Sequence, residues 1–129
     1  MRKVFDSSAV LAFLLADPGA ERLRSEVPNG AISAVNAAEV LAVLARKGVP
    51  VADAHLALVK TGLTVMGFGL GEALRTAQML TPAFREKGIS LGDRACMALA
   101  RAEGLPAVTA ERSWAALGIP ELEIELIRE

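Results

Sequence analysis

Short apolar runs of strand length alternate with helix-length segments along the whole chain, and that alternation restricts the fold more than any other feature. Residues 3–5 read as a first strand and 8–15 as a helix stopped by Asp17-Pro18-Gly19, with a further helical turn or two over 20–26. The apolar stretch 30–33 predicts a second strand, 35–46 a strong helix ending at Gly48, and 51–60 another helix. A third strand is predicted over 63–68, then a helix over 71–87 in which Pro82 is a potential break. Residues 90–103 are predicted helical, 107–109 a strand, 112–117 a short helix and 122–127 a last strand. Five strands separated by helices imply parallel neighbours, because parallel pairing needs long crossover connections. The expected class is three-layer α/β: a five-stranded parallel sheet with helices on both faces.

At 129 residues, 53% of them hydrophobic and 22% charged, the chain has enough apolar side chains for a packed core, and one domain over 1–129 is expected. A formal net charge of −1 creates no global positive field, so charge neither favours nor excludes a nucleic-acid partner. The single Cys96 has no intrachain disulfide partner and sits in the apolar stretch 95–100, as expected of a buried thiol in a reducing cytosol. Arg2 and Lys3 followed by the apolar run 9–16 resemble a secretion signal, but Asp6, Ser7 and Ser8 interrupt it. No apolar stretch approaches the roughly 18 residues that span a bilayer, so a cytoplasmic protein without a membrane partner is expected.

Four acids stand at the junctions of this pattern. In parallel α/β sheets the ligand site lies beyond the carboxyl ends of the strands, near the point where strand order reverses. Asp6 directly follows the first predicted strand, and Glu111 lies two residues after the fourth. Glu39 and Asp93 fall within the first two turns of helices opening near Ser33 and Ser90, and helical side chains lean back toward the N-terminus. All four can therefore face one cleft. Each also has an ordinary explanation. Asp6 can cap the first helix, Asp93 can complete a capping box with Ser90, and Glu111 can cap 112–117 or lie exposed. Glu39 is harder to explain that way, since a carboxylate in the apolar stretch 37–44 needs a partner.

Clustered carboxylates raise one another's pKa values unless a cation neutralises them. An oxygen-only donor set favours Mg²⁺ or Mn²⁺, whereas zinc recruits His or Cys, of which the chain has only His55 and Cys96. A carboxylate-held Mg²⁺ suits hydrolysis of a phosphate ester or phosphodiester. Other motifs fail on physical grounds. The string Gly88-Ile89-Ser90-Leu91-Gly92 fits G-x-S-x-G, but it lacks a preceding strand and a later His. Gly67, Gly69 and Gly71 lack the last glycine of a dinucleotide loop, where Glu72 stands. A haloacid-dehalogenase-like phosphatase would want a second Asp where Ser8 stands, and a receiver domain an acidic pair at the first strand.

Four ordered motifs carry a family resemblance: Val4-Phe5-Asp6-Ser7-Ser8-Ala9, Ser33-Ala34-Val35-Asn36-Ala37-Ala38-Glu39-Val40, Ser90-Leu91-Gly92-Asp93-Arg94-Ala95-Cys96 and Val108-Thr109-Ala110-Glu111-Arg112-Ser113-Trp114. Together they span essentially the entire chain, which resembles the PIN-domain ribonucleases and above all VapC-type toxins of type II toxin–antitoxin pairs. The resemblance implies a sheet of order 3-2-1-4-5, an acidic pocket holding Mg²⁺ or Mn²⁺, and hydrolysis of RNA (tRNA or rRNA) by a metal-activated water. It also implies homodimerisation and inhibition by a cognate antitoxin.

Position by position, Asp6, Glu39 and Asp93 match three catalytic and metal-binding acids, Asn36 and Thr109 match pocket-shaping polar positions, and Ser7 or Ser8 is placed to orient water or a carboxylate. The fourth acid departs from the family's Thr-Ala-Asp-Arg form, since Glu111 replaces the Asp and carries its carboxylate about 1.5 Å farther. Arg94 and Arg112 are candidate RNA-phosphate contacts, with Arg85, Lys87 and Arg101 at the edge. The alternative class is a PIN domain with weakened catalysis that acts as an RNA-binding or protein-interaction module, Glu111 being its visible symptom. Leu11, Leu14 and Leu15, then Leu41 and Leu44, form stripes that suit either the core or an antitoxin.

Overall fold

The computed structural model describes residues 2–128, so the expected domain range of 1–129 reaches one residue beyond the described part at each end. Five strands, β1 (Val4–Phe5), β2 (Ala31–Ser33), β3 (Thr64–Met66), β4 (Ala107–Thr109) and β5 (Ile124–Leu126), form one sheet of order β3-β2-β1-β4-β5. Every neighbouring pair is parallel, with Val4 opposite both Ala31 and Ala107. The expected fold class and strand order are both present.

Period-two alternation assigns each strand residue to a face. Phe5, Ile32 and Val108 join a core with α1 (Ser7–Leu14), α2 (Ala34–Arg46) and α3 (Val51–Lys60). Their strand neighbours Val4, Ala31 and Ala107 face the opposite way, toward Met97 and Cys96 of α6 (Leu91–Glu103), Trp114, and Met79 just past α4 (Leu70–Gln78). Both faces of the central strands are buried, which is why these strands read as unbroken apolar runs.

Local signals set the helix ends. Asp6, Ser33 and Ser90 cap α1, α2 and α6 through their side chains, and α6 stops at Gly104 in a left-handed conformation. The expected helix over 71–87 is two: α4 ends at Gln78, and α5 (Pro82–Glu86) restarts with Pro82 at its first position and Thr81 as cap. Proline has no N–H to continue the earlier helix but suits the start of a new one. The helical turns expected over 20–26 and 112–117 are 3₁₀ segments, Ala20–Ser25 and Arg112–Ala116, as befits pieces this short. At the amino edge of the sheet, Lys3 Nζ bridges Glu26 at 3.0 Å and Glu125 at 2.9 Å.

The entry to β2 is close-packed against β1. A Cβ at Gly30 would stand 2.8 Å from Cδ2 of Phe5 in the core and 3.0 Å from Cδ2 of Leu63, which packs against that core. Gly30→Ala is expected to overpack this corner and cost about 1–3 kcal/mol. Urea unfolding checks it: a midpoint equal to that of the wild type would show that the Phe5 ring has room to move.

Candidate metal centre

Strand β1 ends in the core, and Asp6 follows in an extended conformation as the N-cap of α1. Its carboxylate is 3% exposed and fully engaged. Oδ1 accepts the Ala9 N–H at 2.8 Å and the Ser8 hydroxyl at 2.8 Å, and Oδ2 accepts the Thr109 hydroxyl at 2.6 Å. Each hydroxyl is held in turn by backbone after β4: Ser8 Oγ accepts the Ala110 N–H at 2.9 Å, and Thr109 Oγ1 accepts the Glu111 N–H at 2.9 Å. Because each hydroxyl has one proton and gives it to Asp6, the 3.2 Å approach of Ser8 Oγ to Thr109 Oγ1 is a contact between two oxygens rather than a further bond. This network joins the carboxyl ends of β1 and β4, between which the strand order reverses.

Glu39 projects from the second turn of α2 and lies against the start of α6. Asn36 holds it: Nδ2 donates to Glu39 Oε1 at 2.9 Å and to the Gly92 carbonyl at 3.1 Å. Both amide protons are thereby used, and the buried Oδ1 of Asn36 has no protein donor. Turning the amide over would place its oxygen against two acceptors, so the orphaned atom is the oxygen in the better arrangement. Asp93, in the first turn of α6, completes the expected capping box: its carboxylate accepts the Ser90 N–H at 3.1 Å, and Ser90 Oγ accepts the Asp93 N–H at 3.1 Å.

The charges of these three acids are felt at one buried thiol. The buried Cys96 thiol, one helical turn beyond Asp93, is pushed well above its ordinary value by burial first and then by Asp6, Asp93 and Glu39. Asp6 itself is raised from 3.8 to about 6. Burial dominates, the bonds from Thr109, Ala9 and Ser8 oppose it, and the charge of Asp93 adds to it. Among the described residues, no three acidic, His or Cys side chains form a ready-made metal cage. Asp6 and Asp93 stand in their capping arrangements. The donor chemistry still fits a hard cation: the set is all oxygen, the charge of Asp93 opposes ionisation of Asp6, and Asn36 adds an unpaired acceptor.

The remaining expected residues are placed differently. Glu111 is exposed at the N-cap of the 3₁₀ helix Arg112–Ala116, where its side chain makes no capping bond, and its backbone N–H rather than its carboxylate enters the Asp6 network. Ser7 is half-buried as the first residue of α1. Arg94 donates from Nη1 to the Thr76 carbonyl at 3.0 Å, which ties α6 to α4. Arg112, Arg85 and Lys87 are exposed, Arg101 is half-buried, and His55 is exposed on α3. Leu44 belongs to the core, and Leu11, Leu14 and Leu41 pack on it, which leaves Leu15 as the outward member of the stripes. A cavity of about 410 Å³, lined by Trp114, Ile119, Leu122 and Ile124 among others, contains none of the four acids. Sequence reasoning gave Gly92 no role of its own, although it stands inside the third family motif and at the end of the rejected G-x-S-x-G string; its signal was a glycine beside a helix-start acid.

A family model described as the PIN domain matches residues 3–119. No curated protein sequence matches the chain. Among solved structures, the chain is similar to the sarcin–ricin-loop-cleaving toxin VapC20 of Mycobacterium tuberculosis, with a TM-score of 0.74, 20% identity, and coverage of 92% of this chain and 97% of that one. A toxin–antitoxin complex from Klebsiella pneumoniae gives a TM-score of 0.72 at 21% identity, covering 93% and 94%. VapBC2 from Rickettsia felis, solved bound to a DNA fragment from its promoter, gives 0.71 at 19% identity, covering 98% of both chains. At these identities the likeness is one of fold.

The raised pKa of Asp6 has a consequence for the metal-free protein. A carboxyl that holds its proton more tightly when folded stabilises the fold below its unfolded value, and that contribution is lost as pH rises through about 6. The rise from 3.8 to about 6 corresponds to about 3 kcal/mol over the whole window, roughly half of it between about pH 5 and pH 7. In chelator, the wild type is expected to lose stability across that interval more steeply than Asp6→Asn. Parallel melting-temperature profiles for the two proteins would refute the assignment.

Proposed function

Because the chain belongs to the PIN-domain family, we propose that it is a metal-dependent endoribonuclease of the VapC type, the toxin of a toxin–antitoxin pair, which hydrolyses RNA phosphodiester bonds. One observation carries this reading: the Glu39 carboxylate of α2 lies over Gly92, next to Asp93 on α6, while Asp6 is fixed at the carboxyl end of β1, where the strand order reverses and where it feels the charge of Asp93. Carboxylates gathered there with no ion-pair partner among the described residues suit a divalent cation, Mg²⁺ or Mn²⁺. Asp6, Glu39 and Asp93 would hold it, with Glu111 as an outer ligand reached by rotation from the rim. The cation, when bound, would offset the acids' repulsion and supply the Lewis acidity for attack of water on a phosphodiester.

The chain's own residues have distinct tasks in this scheme. Ser8 and Thr109 fix the orientation of Asp6 by spending their only protons on it. Asn36 fixes Glu39, and its unpaired Oδ1 can accept from a water oriented in the pocket. Arg112, which follows Glu111, and Arg94, which donates to the Thr76 carbonyl of α4, are the candidate contacts to an RNA phosphate. With four Phe, one Trp and no Tyr, the chain has little to stack bases on, and Trp114 is buried, so contacts to the RNA backbone would dominate.

An antitoxin partner is proposed from the likeness to toxin–antitoxin complexes. Leu15, with Val51, Leu56 and Val59 on α3, leaves apolar surface for it or for a second copy in a homodimer. No helix among the described residues is long and apolar enough to cross a membrane.

Incubating a total RNA pool with purified protein in Mg²⁺, Mn²⁺ or chelator tests the reading. Discrete products are expected with either metal and none in chelator. Asp93→Asn is expected to lower cleavage by roughly two orders of magnitude or more, since charge stabilisation by a held cation is worth several kcal/mol. RNA binding without turnover in wild type would instead establish the binding-module alternative, to which the exposed Glu111 gives its specific support.

A further inference from the structure

Helices α2 and α6 pack against each other, and the Glu39 side chain of α2 lies against Gly92 of α6. Gly92 is buried in the first turn of α6. A Cβ built on it would stand 2.7 Å from the Glu39 carboxyl carbon and closer still to both carboxylate oxygens, inside the 3.0 Å limit that real Cβ atoms essentially never cross. The backbone gives no reason for glycine here: Gly92 is helical, without the positive φ of Gly88 or Gly104, and alanine is the better helix former. Space is the reason. The Glu39 carboxylate lies over the bare α-carbon, and Asn36 clamps the arrangement by donating to Glu39 Oε1 and to the Gly92 carbonyl from the same nitrogen.

We infer that Gly92 is a positioning residue: the missing side chain at this point of α6 sets where the Glu39 carboxylate stands, and through it how tightly the pocket holds a divalent cation. The second half of that statement rests on the metal reading above. The obstructed atoms are the far end of a flexible side chain, so a methyl group at position 92 displaces the carboxylate and not the helices. Fold and site therefore separate. Gly92→Ala leaves the helices packed, while Glu39 leaves Asn36 and the neighbourhood of Asp93. Shortening the acid with Glu39→Asp draws the carboxylate back by about 1.5 Å, one C–C bond, and removes the collision.

Wild type, Gly92→Ala, Glu39→Asp and the double variant would be compared in two measurements. In chelator, the side-chain amide signals of Asn36 are read by NMR alongside the melting temperature. Mn²⁺ affinity is then measured by water-proton relaxation. Gly92→Ala is expected to shift the Asn36 signals without lowering the melting temperature and to weaken Mn²⁺ binding roughly 10- to 100-fold, the range found when a residue that orients a ligand is lost. In the Glu39→Asp background the same alanine is expected to weaken Mn²⁺ no further. Unmoved Asn36 signals in Gly92→Ala overturn the positioning role, and an equal Mn²⁺ loss in both backgrounds overturns it in favour of a general shift of α6. Wild type that binds no Mn²⁺ overturns the metal reading and the affinity half of the inference, while the Asn36 signals decide the positioning half independently.

Discussion

The buried carboxylate of Asp6 is the contact on which the carboxyl edge of this sheet depends. It is bonded at once to the first turn of α1 and to Thr109 at the end of β4, so it fastens together the two chain segments that diverge where the strand order reverses. A hydrogen bond to a charged group contributes about 1.5–3 kcal/mol, and a buried charge without such bonds costs far more. The balance here is visible in its direction: three sets of hydrogen bonds favour the ionised form, and burial still outweighs them. Asp6 is thus well satisfied as a structural group and still poised to gain from a nearby positive charge.

That dual character removes the apparent conflict between the ordinary and the functional reading of these acids. In a parallel sheet every helix that follows a strand begins at the carboxyl edge, and helix starts favour carboxylates because they expose unpaired N–H groups and the positive end of the helix dipole. The acids that cap α1 and α6 therefore stand on the same rim where ligands of such folds bind. Asp6 and Asp93 do cap, as their positions predict, and both also act on Cys96. Glu39 differs. It caps nothing, and its place is held by a buried amide and a bare glycine, which makes it the acid whose position depends most on tertiary packing.

Much of this was legible from short-range patterns. Residues 51–60 and 107–109 match the predicted elements, the caps at Asp6, Ser33 and Ser90 stand where expected, and the alternation of strands and helices yields the three-layer sheet. The departures have local causes as well. Pro82 divides one predicted helix because it ends one hydrogen-bonded run and begins another, and short segments close as 3₁₀ turns. Glu111 was less legible. It holds the fourth place in the resemblance, yet whether a side chain on a rim turns inward depends on the turn that carries it, and here the backbone N–H enters the network while the residue is exposed. The leucine stripes were similarly ambiguous, since helical periodicity shows that a face is apolar and says nothing of what covers it.

The division follows the range of the forces involved. Hydrophobic period, proline and glycine placement, and capping all act over three or four residues, so the residue order alone settles the elements, their order along the chain, the α/β class and the chemical identity of the acids. The bonds that assemble the pocket join residues far apart in the chain: Asn36 to Gly92 across 56 positions and Thr109 to Asp6 across 103. No local signal carries that information. Only the packed sheet and helices join Asp6 to Thr109, leave Glu111 exposed, and make the absence of a single β-carbon at Gly92 the space that Glu39 fills, because which atoms meet is set by how the layers close on one another.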